Sequence, residues 1–207
     1  MLMIIHVDKE KVLNEFKRKY IEGCFYEEAS KIYEYFEENK DSIKKEILVS
    51  FREGCKKALE LQSAGTKQDI KFIYISYLRT SIMDNKSTYR IDFFDNRWFM
   101  DKEECSIDLN MDFIYEPLFK HMEELNEKKS EYGRTITEMD IEKIKMKESE
   151  KYNKIALNIL DGMIEDFINT DEYQEMKKDE EIRVFAGEYM DKVMVLYENS
   201  SAAEGKR

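Results

Sequence analysis

Chain breakers are scarce: one proline and seven glycines in 207 residues. That excludes a many-turned all-β protein or a Pro/Gly-rich linker and favours long helices. Cysteine is also sparse. Cys24, Cys55 and Cys105 are widely spaced, odd in number and form no Cys-x-x-Cys, so reduced, buried thiols in a cytoplasmic setting are the expectation. Histidine is limited to His6 and His121, too few for a His-rich zinc centre. No Gly-x-Ser-x-Gly elbow and no glycine-rich phosphate loop is present. Nowhere does an apolar run approach the roughly 18 residues that span a bilayer. Residues 1–7 are apolar, but they lack the basic leader and cleavage site of a signal peptide.

Net positive charge is missing too. Lys and Arg number 34 against 45 Asp and Glu, for a formal net charge of -11. Duplex and anionic-lipid binding both draw on clustered basic residues. The expectation is therefore neither nucleic acid nor membrane. An acidic surface does suit a protein partner with a basic face.

What the chain has is apolar content of 42% and aromatic content of 13%, enough to bury a core and to exclude wholesale disorder. Asp8 is placed to cap a helix carrying Val12, Leu13, Phe16 and Tyr20 on one face, ended near Gly23. Further helices are expected over 27–38 and from Asp41 to about Leu59, with a break at residues 63–66. Residues 70–83 are ambiguous. Their β-branched and aromatic content suits a strand, whereas the stripe Ile70, Ile73, Tyr74, Tyr77 and length suit a helix. Helix is the expectation; a strand here would pair with the one at Tyr89 and enlarge the sheet to about four. Tyr89, Ile91 and Phe93 alternate with Arg90, Asp92 and Phe94 as in a strand. Residues 98–100 could return, and Cys105, Ile107 and Leu109 could form a third short strand.

After that the pattern is helical again. Ile114, Leu118, Met122 and Leu125 share a face, with Pro117 near the start. Thr137 caps the next helix, whose part from 138 to 150 is charged nearly all round and reads as an exposed rod or a mobile turn. The stripe from Tyr152 to Phe167 is expected to pack in a helical hairpin against a last helix, which carries Ile182, Phe185, Tyr189, Val193 and Tyr197. The predicted fold is thus mostly α: a bundle-like single domain over 1–198, with a small antiparallel meander inserted at about 87–109. A disordered tail is expected over 199–207.

Functional signals are few. His121 with Glu124 lies one helical turn apart, but a charged helix face explains the pair. Cys105 beside Ser106 reads as a buried thiol rather than a nucleophile. Two carboxylate clusters, Glu34, Glu37, Glu38 and Asp161, Glu165, Asp166, could face one another and hold magnesium over a nucleotide or similar phosphate; this is the alternative, enzymatic reading. The most unusual stretch runs from Tyr89 to Asp101, where five aromatics are interleaved with Arg and Asp. Arg90, Phe94, Arg97 and Trp98 are the candidate binding surface, because aromatics and Arg anchor interfaces. Trp98 is expected at the junction of meander and helices, partly buried. The leading expectation is a non-enzymatic interaction or regulatory protein with no cofactor and no metal.

Overall fold

The structure, a computed structural model, describes residues 8–199. The apolar segment 1–7 with His6, and the expected tail from residue 200 onward, lie outside the described residues. Helix α1 (Lys9–Tyr20) starts where Asp8 accepts from the amides of Glu10 and Lys11, which satisfies two of the helix's orphan donors. Helices α2 (Cys24–Glu38) and α3 (Lys40–Ser63) follow. Next come β1 (Ile70–Tyr77), the short α4 (Arg79–Met83), β2 (Thr88–Phe94) and β3 (Ser106–Asn110). Helices α5 (Asp112–Lys128) and α6 (Glu138–Asp161) lead through the short α7 (Ile164–Ile168) and α8 (Asp171–Glu175) to β4 (Lys178–Glu188) and β5 (Val193–Glu198).

The strands form one five-stranded mixed sheet in the order β3-β2-β1-β4-β5. This corrects the expected fold: in place of a helical bundle with a small inserted meander, the α+β protein is built on this sheet, of which the strands at 88–94 and 106–110 are two. Two misread segments account for the difference. Residues 70–77 are the central strand, antiparallel to β2 and parallel to β4. A strand covered on both faces loses its polar alternation, and seven of the eight β1 residues are buried, so the period that separates strand from helix is absent. The expected last helix is the β4–β5 hairpin. Its signal is Gly187, at φ 156° and beside Ser76 on β1, where a Cβ would meet the Lys192 carbonyl oxygen at 2.3 Å. Only glycine admits that approach.

Two smaller corrections concern the middle of the chain. Trp98–Met100 is a single 3₁₀ turn instead of a returning strand. Residues 138–150 are neither a rod nor a turn. They belong to one 24-residue helix, opened by a capping box between Thr137 and Asp140, with Ile141, Ile144, Lys145, Glu148 and Ser149 buried.

The long helices share one core on one face of the sheet, with α3 and α6 directly against the strands. That face presents Ile73, Ile75, Tyr89, Ile91, Phe93, Leu109, Val184 and Ala186 to the main core. Phe51 of α3 stacks on Phe167 at 4.5 Å and lies 5.9 Å from Phe93. At Gly54 a Cβ would stand 2.2 Å from the Phe93 ring, so glycine lets α3 settle directly onto β2. Leu160 is fully buried, and α6 packs against α5 as well as β4, so the partner expected to be a last helix is a strand.

Candidate functional site: the outer face of the sheet

The second face of the sheet is free of long helices and holds a separate aromatic cluster. Phe72, Tyr74 and Phe185 are its buried members, with Phe94, Trp98 and Phe99 packed against them. Strand register explains the set. Side chains alternate between faces, and the pairings align Asp92, Tyr74, Phe185 and Val195 in one row across the sheet. A second row holds Arg90, Ser76, Gly187 and Val193, and a third Phe94, Phe72, Arg183 and Glu198.

The loop from Asp95 to Glu104 folds over part of this face. Trp98 lies 4.2 Å from Phe72 and 6.1 Å from Phe185, ring centre to ring centre. Phe99 contacts Tyr74, Phe94 and Tyr189 at 5.9, 5.2 and 5.8 Å. Trp98 takes φ 55°, a conformation that a bulky residue adopts only when its surroundings force it.

Buried charges supply that force. Lys67 donates to Asp101 at 2.6 Å and to the Glu103 carbonyl at 2.7 Å, with both charged side chains essentially out of water. Asp101 also accepts from the amides of Asp95 and Glu103. Arg97 forks onto Asp95 through Nε and Nη2 and reaches Asp101 at 3.0 Å. Burial alone would push the Asp95 carboxyl up, but the Arg97 guanidinium and amide outweigh it and hold it below the usual range.

The four residues singled out from the sequence thus meet at one face. Phe94 and Trp98 are part of its cover. Arg97 fastens the loop from within, and Arg90 bonds Asp92 at 2.8 Å and Glu104 at 3.1 Å. Trp98 packs on the side of the sheet away from the helices, not at their junction as expected. Sequence reasoning missed Phe72, Tyr74 and Ser76 because residues 70–83 read as a helix. Phe185, Tyr189, Val193 and Val195 were missed with the β4–β5 hairpin.

The face is polar in an unfinished way. Among the described residues, four buried side-chain atoms lack a hydrogen-bond partner: Ser76 Oγ, Asp92 Oδ2, Trp98 Nε1 and Arg183 Nε. All four belong to this one face or to the loop over it. Such atoms cost about 1–3 kcal/mol each unless satisfied, and their clustering makes this the one part of the described residues where an ordered water or another polar group would gain hydrogen bonds. Burial pushes the Asp92 carboxyl up, against the pull of Arg90. Beyond the loop the face is uncovered and apolar: Met190 is 62% exposed and Val195 51%, with Tyr189 and Val193 at 39%.

Elsewhere the candidates have ordinary partners. His121 donates from Nε2 to the Tyr20 carbonyl at 2.9 Å. Asp166 is paired with Lys44 at 2.8 Å and Glu37 with Lys40 at 3.0 Å. Among the described residues no group of three or more His, Cys, Asp or Glu is placed to hold a metal ion. Burial drives the Cys55 thiol well above its ordinary range and Cys105 up to about 11, which keeps both protonated and poorly nucleophilic. No described helix is long and apolar enough to cross a membrane. No family model, curated protein or solved structure matches the chain.

Proposed function

We propose that the chain is a non-enzymatic interaction protein that docks a partner protein on the outer face of its sheet, working in the reducing setting of the cytoplasm. The observation that carries this reading is the composition of that face. A rigid aromatic platform stands beside uncovered Tyr189, Met190, Val193 and Val195, and the four unpartnered buried polar atoms all lie within it or its loop. Interfaces are built this way, with aromatic anchors at the centre and polar groups that fix register. Free Cys24, Cys55 and Cys105 agree with the reducing compartment. A carboxylate-metal enzyme has no comparable support: one carboxylate of each cluster, Glu37 and Asp166, is paired with a lysine, and among the described residues no three His, Cys, Asp or Glu gather to hold a metal ion.

A photo-crosslinking residue placed at Val195 tests the proposal in cells of the native organism. The expected result is one discrete adduct that disappears when Val193→Lys is introduced and does not form from the same residue placed at Lys143, on α6. Both substitutions fall at solvent-exposed positions, so a folded variant is expected. An adduct pattern identical at residues 195 and 143 would refute the docking face.

A further inference from the structure

The helical side of the molecule holds a large hollow. A cleft of about 830 Å³ opens where α2, the start of α3 and the start of α5 diverge. Its floor is apolar: Ile32, Ile43 and Ile47 line it, with Phe113 stacked on Phe36 at 6.2 Å. Tyr35 stands half-exposed at the side, 6.5 Å from Phe113. The cleft does not end there. A second hollow of about 450 Å³ shares Glu28, Lys31, Pro117 and Lys120 with it and continues to Cys24 and Leu125. Together they make a trough running the length of α2, about 22 Å for 15 residues at 1.5 Å each.

The rim of the main cleft has a definite sign, whereas the second hollow mixes Lys19 and Lys128 with Glu27 and Glu124. Four carboxylates, Glu28, Glu46, Asp112 and Glu116, face two ammonium groups, Lys31 and Lys120, around the main cleft. Lys31 is already spent on Glu28 at 2.6 Å. That leaves Glu46, Asp112 and Glu116 against Lys120. Glu46 accepts a long 3.5 Å bond from Ser42, and Asp112 accepts from the neutral Ser87 and Asn110; among the described residues no cation pairs with either. Pro117 adds a main-chain acceptor. It sits inside α5 and has no N–H, so the Phe113 carbonyl is denied its usual helical donor at the trough itself.

An apolar floor between two helices, closed by an acidic rim, is the complement of a basic amphipathic helix. We infer that the α2–α5 trough binds such a segment of a partner protein, with its apolar side chains on Ile43, Ile47 and Phe113 and its Lys or Arg side chains on Glu46, Asp112 and Glu116. This site is separate from the sheet face and does not depend on it.

The test uses the full chain and a fluorescein-labelled helical peptide of about 15 residues, with leucine on one face and lysine on the other. Fluorescence anisotropy is expected to show saturable binding. The paired substitutions Glu46→Lys and Glu116→Lys, both at exposed positions, are expected to weaken it at least about tenfold by placing like charges together. Tyr35→Ser should weaken it as well, and a peptide with glutamate for lysine should not bind. Trp98, the only tryptophan, lies on the opposite side of the sheet, so its emission should stay unchanged; a partner on the sheet face would shift it. The inference is overturned by any of four results: no binding of the leucine-lysine peptide, equal affinity for the wild type and the doubly reversed variant, equal binding of a lysine-serine peptide without leucine, or self-association lost in Tyr35→Ser, which would give the trough to a second copy.

Discussion

Single residues show how little slack the core has. Leu160 sits on the inner side of α6 with no exposed surface, as a member of the main core. Truncating it to alanine removes transfer energy and leaves a cavity, for an expected loss of about 2–5 kcal/mol, read as a lower denaturant midpoint at unchanged slope. A loss below about 0.5 kcal/mol would mean that the site collapses or is not packed as described. Gly54 and Gly187 make the same point from the other direction, since each stands where a side chain would have to enter another group.

Among the elements, the loop over the sheet is the one held by charge. Lys67 anchors it from the turn before β1, through Asp101 and the Glu103 carbonyl. Replacing Lys67 with methionine keeps the length of the side chain and removes its charge. Asp101 then stays buried with Arg97 as its remaining charged partner, and breaking such a pair costs about 3–5 kcal/mol. Trp98 rests on this loop, so its emission should move to the red in the folded variant as the ring gains water. If the melting temperature falls with no change in Trp98 emission, Lys67 serves general stability and the loop is held by Arg97 and the aromatic contacts alone.

Over the whole molecule, acid should act through the carboxylates held below their usual range: Asp95 on the sheet face and, on the helical side, Glu172 and Asp140. Arg52 bonds Glu172 and holds its carboxyl at about 2, below an ordinary 4.5. For Asp140 burial works upward, but Lys9 and the Thr137 donors prevail and hold it at about 2, below 3.8. Both are depressed in the folded state, so their stabilisation is present above about pH 4.5 and is lost as the pH falls toward about 2. The double variant Glu172→Gln and Asp140→Asn should be less stable than wild type at neutral pH and should lose less on acidification. Parallel stability curves for the two proteins between about pH 5 and pH 2 would contradict the assignment.

The chain by itself determined those features that depend on near neighbours. Asp8 and Thr137 could be read as helix caps because a cap acts within three residues, and the strands at 88–94 and 106–110 could be read because their alternation is local, although their direct pairing with each other could not. The aromatic residues from Tyr89 to Asp101 stood out for the same reason, but the fold divides them: Tyr89 and Phe93 enter the main core, while Phe94, Trp98 and Phe99 gather on the outer face. Only the tertiary structure decided the rest. Residues 70–77 became a strand because β2 and β4 flank it, and burial on both sides erased the period that would have declared it. Residues 178–198 became a hairpin because β4 pairs in parallel with a strand about 110 positions earlier, a contact no local window contains. The role of Arg97 was decided in the same way: a guanidinium that could serve an interface was claimed by two buried aspartates, which the fold brought to it.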